Sequence, residues 1–182
     1  MSISPNGYIC MGENTKCNNL QRPSFNDILI GLNFDLDPTR NRNSSGQIYT
    51  KTLKSESKTI VNTPFVPVNT FMITYDDVLP SSSTKSNATA AFQIFLSTDS
   101  TEKSYVIFKF KSCLKGNTLY ASSGLTYQKN DNQFHEIIIP DGQQCTGNNM
   151  DQPGLWLSEV TNFIPTGKNL FANFIKNYKS LF

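Results

Sequence analysis

The chain has 182 residues, of which 37% are apolar and 16% are charged. This length suits one domain with a single core. Its longest apolar runs contain only a few residues, whereas a transmembrane helix needs about 20, so the sequence excludes a membrane-spanning helix. The opening residues MSISPNGY show no secretory signal, because they contain neither a basic nor an apolar segment.

The net charge of +2 is too small for the dense basic surface that binding of duplex nucleic acid requires. We therefore expect no nucleic-acid partner. The single histidine, His135, lies in a strand-like run without a nearby Cys or Ser motif that would make it a general base. We interpret His135 as a structural or surface residue and expect a non-enzymatic protein without a cofactor.

Apolar residues alternate with polar ones along most of the chain, a pattern that predicts short β-strands. Turn residues separate these strands, and Asp76-Asp77 is interpreted as the cap of a turn into Val78-Leu79-Pro80. The pattern predicts a mainly β protein, an antiparallel β-sandwich-like domain. In chain order the predicted strands are Tyr8 to Met11, Ile28 to Leu36, a polar edge strand from Gly46 to Leu53, Phe71 to Tyr75, Phe92 to Leu96, Ser104 to Phe110, Leu119 to Ala121, Gly124 to Tyr127, Phe134 to Ile139 and Trp156 to Val160.

Residues 163–182 have a helical rather than a strand-like period. Their large apolar residues recur at spacings of three and four, which predicts a short C-terminal amphipathic helix. We expect this helix to dock on the β domain, since a free helix would leave a large apolar patch in water. Contact with a partner or with an anionic membrane is the less favoured alternative. The apolar positions are Leu170, Phe171, Phe174, Ile175, Tyr178, Leu181 and Phe182, with Lys168, Lys176 and Lys179 offset from them.

Four cysteines are present, and their spacing lacks the paired C-x-x-C pattern of a zinc site. Disulfides are therefore favoured over a metal site and over four reduced thiols. Three connectivities are possible. We favour Cys10 with Cys17 and Cys113 with Cys145, because the first closes a short polar loop and the second joins neighbouring strand and loop segments.

Two triplets, beginning at Asn43 and Asn87, match the acceptor pattern for N-glycosylation. Asp35 and Asp37 lie two residues apart and project to one face of the same predicted strand. This pair is a candidate cation site, but strand-end solvation is the favoured interpretation, since calcium needs six to eight oxygen ligands.

Five groups of motifs follow one another between residues 6 and 160. They are Asn6-Gly7-Tyr8-Ile9; Asp27 to Asp37 followed by Gly46-Gln47-Ile48-Tyr49; Ile73 to Val78; Ala91 to Asp99 followed by Ser104 to Phe108; and Asn148 to Trp156. In this order they resemble the nidogen-type extracellular (NIDO) domain. Three features differ from that family: Tyr75 replaces the usual Trp, Leu155 replaces a common basic residue, and the opening strands before the Asn6-Gly7-Tyr8 turn are absent.

The resemblance implies a NIDO-like β domain over residues 1–162, followed by the helical tail over residues 163–182. It also implies an extracellular, secreted or cell-surface setting, which favours the disulfides and the glycans. The implied function is a non-enzymatic module for cell-matrix adhesion or matrix protein interaction, with matrix or cell-surface proteins as partners. The alternative is a carbohydrate-binding β-sandwich module in which Tyr105, Tyr120 and Tyr127 stack on sugar rings.

Overall fold

The computed structural model describes residues 2–11, 28–32, 36–39, 46–54, 63–80, 89–113, 123–128, 134–140 and 143–161. These residues form strands joined in antiparallel ladders, so the prediction of a mainly β, antiparallel protein is confirmed. The strands are β1 (Ser2–Ile3), β2 (Tyr8–Met11), β3 (Ile28–Leu32), β4 (Leu36–Asp37), β5 (Gln47–Lys54), β6 (Pro67–Pro80), β7 (Ala90–Asp99), β8 (Ser104–Ser112), β9 (Ser123–Gln128), β10 (Phe134–Ile139) and β11 (Leu155–Glu159).

The strands form two sheets. Sheet 1 has the order β1-β2-β3-β9-β10, and sheet 2 has the order β11-β8-β7-β6. On the side of β6 that faces away from β7, two strands pair with it. Strand β5 pairs with Asn69 to Asp76 of β6, and β4 pairs with the C-terminal end of β6. The predicted edge strand therefore lies at the edge of sheet 2.

One apolar core is shared by the two sheets. Sheet 1 contributes Ile9, Ile30 and Leu125, and sheet 2 contributes alternate residues such as Phe71 and Ile73, all of them buried. Each such side chain contributes about 1.5–3 kcal/mol through its removal from water. Apolar and polar residues therefore alternate in the sequence because successive side chains of each strand point into this core and towards the other face of the sheet.

A second, smaller apolar cluster lies on the opposite face of sheet 2, which we call the outer face. It is built on Phe95 and Ile107, which pair across β7 and β8 and are fully buried. Because the central strands are covered on both faces here, β7 is buried almost continuously and departs from strict alternation.

Two β-bulges allow β6 to continue for 14 residues. One of them lies between Tyr75 and Val78, where Asp77 has a φ of 51°. The interpretation of Asp76-Asp77 as the cap of a turn into Val78-Leu79-Pro80 is therefore wrong, because β6 accommodates an extra residue here and continues to Pro80.

Glycine is required where the sheet 1 strands approach each other. At Gly31, whose φ is 146°, a β-carbon would lie 2.4 Å from the carbonyl oxygen of Gly7. No side chain fits at that distance, and few residues other than glycine adopt this φ. Gly31 pairs with Tyr8 of β2 on one side and with Gly124 of β9, also at positive φ, on the other, so the unusual backbone is shared by the neighbouring strands β3 and β9.

The prediction of one strand from Ile28 to Leu36 is wrong, because Ile28–Leu32 forms β3 of sheet 1 whereas Leu36–Asp37 forms β4 of sheet 2. The predicted strand at Leu119 to Ala121 and the C-terminal helix lie outside the described residues. The short strand β1 was not predicted. Within the described part of the chain, no helix has the length and apolarity needed to cross a membrane.

The Tyr75 side chain joins the two sheets. It projects from β6 into the core with no exposed surface and stacks on Phe92 at a ring separation of 4.6 Å. Its hydroxyl donates to the carbonyl oxygen of Ser4 at 2.8 Å, and a longer contact of 3.4 Å reaches the carbonyl of Tyr8. Burial, followed by the nearby Tyr8, strongly raises the pKa of Tyr75, which therefore remains a neutral donor.

Replacing Tyr75 with Phe tests this connection. We expect Tyr75→Phe to lower the free energy of unfolding by about 1–2 kcal/mol, because buried carbonyl groups lose a donor while the ring packing is kept. Tyr49→Phe is the matched control, since Tyr49 is exposed. Urea denaturation measures both changes, and equal stabilities of the two variants would contradict the assigned role.

Candidate interaction surface

The β7–β8 hairpin is organised by the carboxylate of Asp99. Its Oδ1 accepts hydrogen bonds from the backbone and hydroxyl of Thr101, both at 2.8 Å, and from the backbone N–H of Lys103 at 3.0 Å. Its Oδ2 accepts from the Tyr105 hydroxyl at 3.1 Å. Glu102 follows at a φ of 64°. An Asp side chain that accepts hydrogen bonds from backbone N–H groups a few residues later in the chain stabilises such a tight turn.

The same contacts shift the titration of both side chains. Desolvation would raise the pKa of Asp99, but the hydrogen bonds from Thr101, Lys103 and Tyr105 outweigh it, and the pKa lies below its ordinary value of 3.8. Burial, and then the Asp99 carboxylate, raise the pKa of Tyr105 to about 12. At neutral pH the Asp99 carboxylate is therefore a charged acceptor, and the Tyr105 hydroxyl beside it is a neutral donor.

Because its folded-state pKa is lowered, Asp99 stabilises the fold above its ordinary pKa, and this contribution is lost as the pH falls through the folded-state pKa. We expect Asp99→Asn to lower the free energy of unfolding at pH 7 and to weaken the fall in stability below about pH 4. Urea denaturation from pH 7 to pH 2 measures this, with the exposed Asp151→Asn as control. Parallel curves for wild type and Asp99→Asn would contradict the assignment.

The loop that precedes β11, which we call the covering loop, lies along the edge of sheet 2 that β11 forms. The Asn149 side chain accepts from the backbone N–H of Leu157 at 2.8 Å and donates to its carbonyl at 2.7 Å. Its own backbone N–H donates to the carbonyl of Leu155 at 3.3 Å. One asparagine thus occupies the backbone groups that a further strand would use, which is a common way of protecting an edge.

The Pro153-Gly154 turn and Trp156 fix this covering loop. The N–H of Gly154 donates to Gly147 at 2.8 Å, and its carbonyl accepts from Phe110 of β8 at 2.8 Å. Gly154 has a φ of 77°, and a β-carbon there would lie 2.7 Å from the carbonyl oxygen of Phe110. Only glycine satisfies both this conformation and this close approach at position 154. The indole N–H of Trp156 donates to the carbonyl of Gln144 at 3.1 Å.

A disulfide between Cys113 and Cys145 ties the covering loop to the end of β8, with the two Cα atoms 6.0 Å apart. This is the pairing favoured from the sequence. Cys10 is also disulfide-bonded, whereas Cys17, its favoured partner, lies outside the described residues. The covering loop is therefore held by a covalent bond as well as by hydrogen bonds.

We expect replacement of both Cys113 and Cys145 with Ala to lower the free energy of unfolding by about 3–4 kcal/mol, because the closed loop spans a separation of 32 residues. Urea denaturation measures the change, and mass spectrometry of non-reduced wild-type peptides verifies the bond. Free thiols at both positions in the wild-type chain would contradict the assignment.

At the opposite edge of sheet 2, strand β5 has no covering segment among the described residues. Among the described residues, only those of β6 hydrogen-bond to the backbone of Gln47 to Leu53. Tyr49 lies on the outer face beside Thr74 and is 49% exposed, and its hydroxyl donates to the Gln47 side chain. Lys51, two residues on, is also exposed. Within the described part of the chain, sheet 2 therefore has one covered edge and one open edge.

The structure places some of the predicted site residues and corrects one of them. Tyr105 is only 7% exposed and stacks on Phe65 at 3.8 Å, so its prediction as an exposed sugar-stacking residue is wrong. The contact was unpredictable from spacing because Phe65 lies 40 positions earlier. Tyr120 lies outside the described residues, as does the side chain of Tyr127; its backbone pairs with His135 of β10.

The proposed cation pair is described in part. The Asp37 carboxylate accepts two hydrogen bonds from Thr39, at 2.8 Å and 2.6 Å, as expected of a residue that ends a strand. Asp35, Asn43 and Asn87 lie outside the described residues. Within the described ranges, no three His, Cys, Asp or Glu side chains are grouped as metal ligands.

Asp99 and Asn149 were not singled out from the sequence. For Asp99 a signal exists, because Asp followed two residues later by Thr in a turn is typical of local side-chain capping. For Asn149 the motif from Asn148 to Trp156 marks the position but not its role, since its partner Leu157 is defined only once the loop folds back.

Comparison with known proteins gives one match. The family described as the nidogen-like domain matches residues 1–162, whereas neither the curated proteins nor the solved structures give a match. The matched region ends just beyond β11 and therefore includes both sheets, the Asp99 hairpin and the covering loop. Nidogen-like domains occur in extracellular proteins. The chain belongs to the nidogen-like (NIDO) domain family.

Proposed function

We propose that this chain is a non-enzymatic extracellular module for cell-matrix adhesion or matrix protein interaction. The observation that carries the proposal is the family match over residues 1–162, since this family is an extracellular module family. The disulfide-bonded state of Cys10, Cys113 and Cys145 supports an oxidising setting such as the extracellular space.

The proposal includes a secreted or cell-surface location, glycans at Asn43 and Asn87, and matrix or cell-surface proteins as partners. The architecture supports a binding role because both sheets pack on one core. A module with such a core and a disulfide-anchored loop offers a preformed surface, which reduces the ordering that binding requires.

Direct binding and cell attachment test the proposed function. The full chain, secreted from animal cells behind an added signal peptide, is immobilised and exposed to purified fibronectin, laminin and collagens, and to suspended cells. We expect saturable binding to at least one matrix protein or attachment of cells. The reduced and alkylated chain is the unfolded control. If the folded chain binds every ligand no better than this control and attaches no cells, the proposal is wrong.

A further inference from the structure

The two edges of sheet 2 differ in a way that the packing of the core does not require. The backbone of β11 is occupied at Leu155 and Leu157 by Asn149. Strand β5 pairs through eight residues with β6 on its inner side. On its outer side, no described residue hydrogen-bonds to the backbone of Gln47 to Leu53. An unpaired edge of this length is a template for a further strand.

The side chains along this edge indicate the chemistry of a partner. Tyr49 and Lys51 are exposed neighbours on the outer face. Across β6, Lys51 is aligned with Met72 and Tyr49 with Thr74, neither of which is an acid. Among the described residues, the one salt bridge joins Lys103 to Glu159, so Lys51 lacks an ion-pair partner there. A strand added beside β5 would place its own side chains next to Tyr49 and Lys51.

The charge of the edge argues against a second copy of the chain as the occupant. The sequence QIYTKTLK of β5 contains two lysines and no acid. Two copies paired symmetrically about Lys51 would place the two Lys51 side chains opposite each other with no acid on either strand, and like charges directly opposite are destabilising. An extended segment that carries Asp or Glu would instead place a carboxylate beside Lys51.

We propose that β5 is a docking edge for an extended, acidic segment of a partner protein, which adds to sheet 2 as a further strand. Hydrogen bonds between the two backbones supply affinity, and the contacts with Tyr49 and Lys51 supply specificity, as in other cases of strand addition. This inference deepens the proposed function by naming a partner chemistry, and it rests on that function for its extracellular setting.

A synthetic peptide tests the edge on the full chain. The probe is a ten-residue peptide of alternating valine and glutamate, blocked at both ends, with a valine and lysine peptide of the same length for comparison. We expect the glutamate peptide to bind the wild-type chain at least tenfold more tightly than the lysine peptide. Lys51→Glu should reverse this preference. Equal binding of the two peptides to the wild-type chain would overturn the proposal.

Lys109→Glu is the matched control. Lys109 is an exposed lysine of β8 that lies beyond β6 and β7, about 14 Å from β5 at the usual strand spacing. We expect its reversal to leave the affinity for the glutamate peptide within twofold of wild type. A loss equal to that of Lys51→Glu would show general attraction to a basic surface and would overturn the proposal.

N-methylation of the peptide separates strand addition from attraction between charges. Two versions of the glutamate peptide carry N-methyl groups on all valines or on all glutamates, so each removes the donors on one side of the extended chain. We expect at least one version to lose tenfold or more in affinity, because one row of N–H groups faces β5. If both versions bind like the unmethylated peptide, no strand is added and the proposal fails.

Sedimentation velocity identifies the competing occupant. We expect the peptide-free chain to be a monomer. A dimer whose β5 amides are all protected from exchange would assign the edge to a second copy and overturn the proposal. If the peptide fails to bind while wild type and Lys51→Glu bind a matrix protein equally, the edge inference fails and the proposed function stands. If the peptide binds as expected but no matrix protein or cell does, the proposed function fails alone.

Discussion

The arrangement of the two sheets depends on a tyrosine hydroxyl that is buried in their common core and must be hydrogen-bonded. Tyr75 projects from β6 of sheet 2, and its hydroxyl contacts the carbonyl of Ser4 in the turn that joins β1 to β2 of sheet 1. A buried hydroxyl without a partner would cost about 1–3 kcal/mol, so the two sheets are favoured in the arrangement that brings the carbonyl to it. Apolar packing brings the sheets together, and this polar contact selects their relative position.

Position 75 is one of those at which the sequence departs from the pattern that the resemblance implies, with Tyr in place of Trp, and the contact with Ser4 is made by the hydroxyl of this Tyr. The Tyr75 ring stacks on Phe92 and so keeps an aromatic packing role. The hydroxyl adds a donor directed at the Asn6-Gly7-Tyr8 turn, another of the motifs that carry the resemblance. Two motifs that lie about 70 positions apart in the chain are thus connected by one side chain.

Strand alternation and turn chemistry predicted much of the fold, because they depend on neighbouring residues. The bounds of β2 and β10 match their predictions, and β5 was predicted as an edge. The prediction for β6 was too short, since the strand continues past its bulge at Asp77 by pairing with the distant strands β7 and β4.

The features of the surface were harder to predict than the strands because they depend on contacts between distant residues. Tyr105 is buried by Phe65, and Asn149 covers the edge of β11 only once its loop folds back. The sequence predicts that the segment around Asp99 is a turn, but not that one carboxylate gathers four hydrogen bonds there. The resemblance to the family placed the correct motifs in order without indicating which edge of the sheet is open.

Sheet 2 has one edge covered by its own chain and one edge, β5, whose outer side is bound by none of the described residues. Amide hydrogen exchange, followed residue by residue by NMR on the full chain, tests this difference most directly. We predict slow exchange at Leu157, whose N–H is bound by Asn149, and an alternation along Gln47 to Leu53 between slow amides that face β6 and fast amides that face outward. Uniform protection along this whole segment in the monomeric chain would contradict the account.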